Sequence, residues 1–243
     1  MKNKALIILC FIVLFSCKKE NDGVCLKGTG DIITEERTIQ QRFSKIDLDD
    51  NVELILVQDS YQHIKVEAGE NIVPGIITEN ENGTLKIFNA NSCNFFRSYK
   101  YPVKVYVYTD SLKKVSFNGG GNISSQGTLT FPVMTFECLN SGSDLTLDIN
   151  NDSLYVYLHT GSTNAYVNGT SQYAYFYSSG NSIVHAENLT ADDVHVNNNS
   201  TGDFYVNALN SLRAEIYLYS TVWYKGNPVI NKSGTGTGDV KPL

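Results

Sequence analysis

Apolar and polar positions alternate along most of the chain. After Phe43, the runs Ile46 and Leu48; Val52, Leu54 and Leu56; Ile64, Val66 and Ala68; Leu85 and Ile87; and Val103, Val105 and Val107 recur with a period of two. That period, with β-branched residues at the apolar positions, predicts strands half buried on one side. Asn82-Gly83 stands between Ile76-Ile77-Thr78 and Leu85-Lys86-Ile87 and predicts a tight hairpin, because a type I′ turn needs positive φ at both central residues. No stretch sustains a 3.6-residue apolar period, and the five prolines fall at run edges or in loops, so the helix content is expected to be minimal.

A short phrase of small residues ending on an apolar one organises the second half. It reads Gly119-Gly120-Gly121-Asn122-Ile123, Ser141-Gly142-Ser143-Asp144-Leu145, Gly161-Ser162-Thr163-Asn164-Ala165, Ser179-Gly180-Asn181-Ser182-Ile183, Ser200-Thr201-Gly202-Asp203-Phe204, Tyr219-Ser220-Thr221-Val222-Trp223 and Gly236-Thr237-Gly238-Asp239-Val240. By subtraction the apolar ends are 22, 20, 18, 21, 19 and 17 residues apart. A period near 20 that tolerates small slips predicts stacked turns of a solenoid, with the slips absorbed in the corners. Between phrases, Leu154, Val156 and Leu158 point one way and Tyr155 and Tyr157 the other, so each turn reads as strand, small-residue corner, strand, second corner. Glycine and asparagine in the corners are expected to supply positive φ. The predicted fold is all-β, a right-handed parallel β-helix or β-solenoid with turns of roughly 20 residues. Residues 28–109 form an N-terminal part with antiparallel hairpins, and residues 110–243 the regular repeats. Gly28-Thr29-Gly30-Asp31-Ile32 nearly repeats the last phrase, which places the whole of 28–243 in one domain.

The beginning of the chain addresses it out of the cytoplasm. Residues 1–16 carry Lys2 and Lys4 and then the apolar run Ala5 to Phe15, too short for a permanent membrane span. Leu14-Phe15-Ser16-Cys17 resembles a bacterial lipobox, with cleavage before Cys17 and lipidation of its thiol, which would tie the mature protein to a membrane without crossing it. Residues 17–27 then read as a tether. The charged run Lys18-Lys19-Glu20-Asn21-Asp22 is similar to the surface-export signals of Bacteroidetes lipoproteins, so an outer-membrane lipoprotein is expected, with surface exposure and burial in the inner leaflet both open. Loss of Lys2 and Lys4 takes the formal net charge from -6 to -8, and such a surface repels nucleic acid and anionic lipid. Cys25 and Cys93 lie in polar contexts and form a candidate disulfide in an oxidising compartment. Cys138 alternates with Met134 and Phe136 on an apolar face and reads as a buried free thiol.

The phrase repeats, together with Glu35-Glu36-Arg37, Phe43-Ser44-Lys45-Ile46-Asp47-Leu48, Val66-Glu67-Ala68-Gly69-Glu70-Asn71-Ile72 and Tyr224-Lys225-Gly226-Asn227-Pro228, resemble the putative auto-transporter adhesin, head GIN domain family (DUF2807). The resemblance covers about the whole mature chain. It implies an exported β-solenoid, common in Bacteroidetes and called adhesin-like. The chain departs from the family pattern at Tyr219 to Trp223, where larger residues replace glycine, and Trp223 is expected to plug the end of the column.

Candidate chemistry is sparse. Asp31, Asp144, Asp203 and Asp239, with Asn122 and Asn164, recur at one place in the repeat; such side chains cap tight turns more readily than they bind Ca²⁺. His159, His185 and His195 fall in different columns, and no CxxC or Cys/His cluster exists, so neither a metal site nor a cofactor is expected. Asp192-Asp193 is the adjacent carboxylate pair, but neighbours in a strand face opposite ways, so no acid, base and orienter come together and no catalytic residue is assigned. Tyr155, Tyr157, Tyr173, Tyr175 and Tyr177, followed by Tyr205, Tyr217 and Tyr219, recur in adjacent turns as candidate ligand contacts; a tyrosine field stacks on sugar rings or a protein partner, or simply packs a sheet face. The basic, aromatic stretch Asn94 to Tyr101 reads as a loop covering the column. Ser111 and Ser153 stand in Asp-Ser-Leu tripeptides that look like Bacteroidetes O-glycosylation acceptors. The reading is an exported, non-catalytic envelope module for glycan or protein contact, with a scaffold lacking its own ligand as the alternative and a glycan-active enzyme as the third. The oligomeric state is not legible.

Overall fold

The computed structural model describes residues 28–92 and 102–243. The leader 1–16, Cys17, the tether 17–27, the Cys25 and Cys93 pair and the 94–101 loop lie outside the described residues. In chain order the strands are β1 (Ile32–Thr38), β2 (Lys45–Asp50), β3 (Val52–Gln58), β4 (His63–Gly69), β5 (Ile76–Glu81), β6 (Thr84–Asn89), β7 (Val103–Thr109), β8 (Lys114–Gly119) and β9 (Ile123–Ser125). They continue as β10 (Val133–Ser141), β11 (Asp144–Gly161), β12 (Asn164–Ser178), β13 (Val184–Asn198), β14 (Phe204–Ile216), β15 (Val222–Lys225), β16 (Val229–Ser233) and β17 (Val240–Pro242). A single 3-10 turn, Val73–Gly75, is the helical element among the described residues.

These strands wind a β-solenoid of about six turns with two faces. One face runs β5, β6, β2, β8, β10, the second halves of β11 to β14, and β16. The other runs β1, β4, β7, β3, β9, the first halves of β11 to β14, β15 and β17. The antiparallel pairs are β1 with β4, β4 with β7, and β5 with β6, all at the N-terminal end. The β5–β6 turn has φ of 51° at Asn82 and 80° at Gly83, as its sequence predicts. Because β2 lies parallel between β6 and β8, and β3 parallel between β7 and β9, the solenoid stack begins at residue 45 and not at 110.

The core is a set of inward columns. Ile46, Val115, Phe136, Val156, Phe176, Val196 and Ala214 follow one another through successive pairings, all buried. Each large member stabilises the fold by about 1.5–3 kcal/mol through burial. The next place in this column belongs to Lys232, paired with Ala214. Its Nζ lies 3.2 Å from Asp239 Oδ1, so an ion pair closes the C-terminal end of an otherwise apolar column. An inward charge on a terminal strand is a known means of keeping an open edge from pairing with another chain.

The apolar ends of the repeat align as Ile123, Leu145, Ala165, Val184, Phe204, Val222 and Val240, spaced by 22, 20, 19, 20, 18 and 18 residues. Two positions differ from the sequence expectation: Val184 takes the place of Ile183, and Val222 that of Trp223. In both cases the smaller β-branched residue is inward and buried while its neighbour stays partly exposed. Trp223 is therefore not a plug.

The corners differ from expectation in mechanism. Gly161 does have positive φ, at 118°, but Gly202 does not. A Cβ on Gly202 would stand 1.9 Å from the Ser182 carbonyl oxygen of the turn beneath, so this glycine is there because two backbones touch. Beside it, buried hydroxyl and amide groups satisfy one another: Asn198 Oδ1 accepts from the Ser200 backbone N–H at 2.8 Å, and Asn198 Nδ2 donates to Ser220 Oγ. At the second corner β11 and β12 do not break; Ser171 Oγ donates to Asn151 Oδ1 at 2.8 Å and carries the ladder around the bend.

Gly202→Ala should cost about 2 kcal/mol or more, whereas Gly142→Ala, whose Cβ would meet only Ser162 Oγ at 3.8 Å, should shift stability by no more than about 0.5 kcal/mol; urea denaturation of the two variants compares them. Lys232→Ile should turn the closed end into an apolar one, and light scattering should then show concentration-dependent association beyond that of the wild type.

Candidate functional site

Period-two geometry puts the five candidate tyrosines on the outer side of the first face. Tyr155 and Tyr157 on β11 pair with Tyr175 and Tyr177 on β12, and Tyr173 lies beside Ser153. All five are half-buried. The structure thus brings together the residues expected to act together. They form a field of rings that lean on one another: Tyr155–Tyr175, Tyr157–Tyr175 and Tyr157–Tyr177 have centroids 6.2, 5.3 and 6.3 Å apart and planes tilted by 43° to 48°. Burial, followed by the neighbouring Tyr157 and Glu215, pushes the Tyr175 hydroxyl up to about 12, so this hydroxyl is uncharged at any physiological pH.

Two carboxylates flank the field. Glu137 accepts from Lys114 Nζ at 2.6 Å and from His159 Nε2 at 3.3 Å. The Lys114 ammonium holds this carboxyl below the usual range, outweighing its desolvation. On the other side Glu215, buried, accepts from Asn197 Nδ2 at 3.0 Å, from the His195 ring at 3.2 Å and from the Arg213 guanidinium. With Nε2 donating to Glu215, His195 Nδ1 accepts from the Tyr173 hydroxyl at 3.4 Å. Burial lowers the His195 pKa from its ordinary value, and the adjacent Glu215 offsets part of that. Sequence reasoning missed both flanking clusters. The signal is the register itself: Glu137, Tyr157, Tyr177, Asn197 and Glu215 occupy one outward row.

That row also bears on catalysis. Glu137 and Glu215 are four strand steps apart, about 19 Å at the usual strand spacing. Glycosidase carboxylates stand about 5–9.5 Å apart. Asp192 and Asp193 are both half-exposed at the second corner, between buried Ala191 and Val194, and so do not face opposite ways as expected; Asp193 accepts from Ser211 Oγ. Two shallow furrows follow the second corner, at Asn150, Asp152, Gln172 and Asp192, and the seam at Asp47, Ser116 and Leu139. None of the five tyrosines lines either.

The corner Asp and Asn side chains bond one another and the backbone. Asp144 N–H donates to Asn122 Oδ1 at 3.0 Å, Asn164 Nδ2 to Asp144 Oδ1 at 3.3 Å, and Thr221 N–H to Asp203 Oδ1 at 2.7 Å. Trp223 Nε1 also donates to Asp203, at 3.1 Å. Asp31 stands apart from this column, just before β1 at the outer edge of the N-terminal end. Ser111 and Ser153 are half-buried at corners, each followed by a buried leucine, Leu112 and Leu154. Cys138 is a buried free thiol, and burial raises its pKa well above the ordinary value.

The site is thus a ring-studded sheet face of a β-solenoid whose ionisable groups are tied to one another at the margins. Over residues 42–228 the chain matches the family described as putative auto-transporter adhesin, head GIN domain (DUF2807), and it belongs to that family. Solved structures share the fold. A putative adhesin from Bacteroides fragilis NCTC 9343 is 23% identical with a TM-score of 0.79, over 89% of this chain and 100% of that one. A putative lipid binding protein from Parabacteroides distasonis ATCC 8503 is 22% identical with a TM-score of 0.70, over 89% and 99%. A putative adhesin from Parabacteroides merdae ATCC 43184 is 17% identical with a TM-score of 0.64, over 89% and 98%. No curated protein matches the sequence.

The two flanking clusters make stability depend on pH in two stages. His195 binds a proton less readily folded than unfolded, so its penalty is absent above its ordinary value of 6.5 and grows as pH falls below it. Glu137, with a lowered pKa, contributes stability above its ordinary value of 4.5 that is lost as pH falls through the folded value. Melting temperature should therefore begin to fall near pH 6.5 and fall further below about pH 4.5; His195→Gln should flatten the first stage and leave the second.

Proposed function

We propose that the protein is a non-catalytic, lipid-anchored adhesion module of the cell envelope, in which the solenoid of residues 28–243 presents its tyrosine face to a glycan or a surface protein. The observation that carries this reading is the register of Tyr155, Tyr157, Tyr173, Tyr175 and Tyr177 across β11 and β12, half-exposed on a flat face. Rigid aromatic rings lose little entropy on contact and offer both an apolar body and a hydroxyl. The paired margins at Glu137 and Glu215 supply polar groups at the rim. The wide separation of these carboxylates supports a binding role over glycoside hydrolysis. Cys17 is the proposed lipidation site, the Cys25–Cys93 pair a proposed disulfide, and Ser111 and Ser153 proposed O-glycosylation sites; the lipobox-like Leu14 to Cys17 and the charged tether support an outer-membrane position.

A scaffold without its own ligand is the second reading, and the mutual tilt of the tyrosine rings favours it, since rings that cover one another offer less surface to a partner. Binding of residues 18–243 to a broad glycan array, beside a variant with Tyr155, Tyr157, Tyr175 and Tyr177 changed to serine, separates the two. Saturable binding that falls at least about tenfold, or roughly 1.4 kcal/mol, in the folded variant supports adhesion. A wild type that binds nothing, with its β-rich circular dichroism intact, leaves the scaffold.

A further inference from the structure

The opposite face carries aromatics in a different arrangement. Tyr166 on β12, His185 on β13, Tyr205 on β14 and Trp223 on β15 occupy one outward row. Their planes lie within 2°, 3° and 9° of parallel, and their centroids are 4.9, 5.1 and 6.4 Å apart. Parallel rings with centres 4.9 Å apart cannot lie side by side without collision, so they overlap face to face with an offset. The inner rings therefore have both faces covered. At the C-terminal end the Lys241 ammonium sits 5.9 Å from the Trp223 ring centre and covers its outer face.

Among the described residues the other end is open. The next two places in the row are Thr146 and Ser124, and only then comes Ile55. For two strand widths, about 10 Å, the row holds nothing larger than threonine, and the outer face of Tyr166 looks along it. Tyr166 is 38% exposed, more than the other three rings of the stack.

We infer that this open end is a binding site for one pyranose ring of a neutral glycan. The flat C–H face of the sugar continues the stack on Tyr166. Thr146 and Ser124 lie beneath it with their hydroxyls. Asp144 and Asp148 stand two residues to either side of Thr146 on the same outward side of β11, in register with Asn164 and Asn168 on β12. This rim is held in place: Asn122 Oδ1 and Ser125 Oγ accept from the Asp144 and Asp148 backbone N–H groups at 3.0 and 2.9 Å. Sugar hydroxyls donate to the two carboxylates and accept from the carboxamides. The charge of the shelf selects among glycans: its ionised groups are both carboxylates, which repel a uronate or a sulfated sugar and suit a neutral, donor-rich one. A protein aromatic side chain would satisfy the stacking but bring those carboxylates no donor beyond the one that Asn164 gives Asp144. The site is on the other face from the tyrosine field and does not depend on it.

The test follows the backbone amides of ¹⁵N-labelled protein during titration with maltohexaose, cellohexaose and mannohexaose, with hexagalacturonate as the anionic probe and N-acetyltyrosine amide as the aromatic one. Saturable shifts confined to β9 and the first halves of β11 and β12, from a neutral probe, are expected. Tyr166→Ala should weaken that binding at least tenfold. Thr146→Tyr adds a ring to the row, so it should abolish binding while leaving the fold intact, with a melting temperature at or above the wild type. The inference is overturned if no neutral probe shifts these amides, if either variant binds as the wild type does, or if hexagalacturonate or N-acetyltyrosine amide alone takes the site. Loss of binding in the tyrosine-to-serine variant of the other face, with Tyr166→Ala unaffected, supports the adhesion reading and overturns this one.

Discussion

Everything in this molecule answers to one spacing. Each turn must lie a single strand width above the last, about 4.8 Å, and the corners are where that requirement is hardest to meet. Side chains on the flat faces stand clear of the next backbone, but at a corner the chain bends inward and its carbonyls press on the turn above. The missing Cβ of Gly202, which would sit 1.9 Å from the Ser182 carbonyl oxygen, is the direct expression of that pressure. Small polar residues fill the remaining corner places because the bend buries hydroxyl and amide groups that must then satisfy one another, as Asn198 does with Ser200 and Ser220.

The same spacing explains why two sets of aromatics on one protein behave differently. On the tyrosine face, rings occupy alternate places along each strand and the matching places on the next. Tyr155, Tyr157, Tyr175 and Tyr177 are thus crowded in two directions and relieve the crowding by tilting. On the other face the row from Tyr166 to Trp223 has asparagines as its in-strand neighbours at β12, so crowding acts only along the stack and the rings lie parallel. Tilted rings make a corrugated, self-supporting surface; parallel rings make a column with two ends. What can be recognised by each follows from that difference.

Much of this was legible in the chain. Alternation at Leu154, Val156 and Leu158 against Tyr155 and Tyr157 is local, and local period two survives whatever the register. The phrase repeat likewise announced the solenoid. Register was not fully legible, because a slip of one residue inside a corner leaves the composition unchanged. Reading Ile183 and Trp223 as inward, where Val184 and Val222 are, displaced the row on which His185 and Trp223 stand, and with it the whole aromatic stack. The Glu137 and Glu215 clusters were hidden for a related reason: their members are about 20 residues apart in sequence, and only the pairing of turns brings them together. Corner glycines were visible, but their cause was not, since positive φ and close approach call for the same residue.

The β13–β14 ladder is interrupted between Ala186 and Thr190, and again between Ala191 and Asp193, whereas β11 and β12 pair almost without a gap. In the proposed role as a tethered contact protein the chain would be loaded by tension, and in a solenoid pulled along its axis the bonds between turns bear that load in series. Strength is then set by the weakest junction and not by the sum. The interruptions still leave β13–β14 eleven paired positions, whereas six, with the Leu129–Ile149 bridge, join β8 and β9 to β10 and β11, so a load applied beyond that junction should part the stack there first and carry the tyrosine field away with the outer turns.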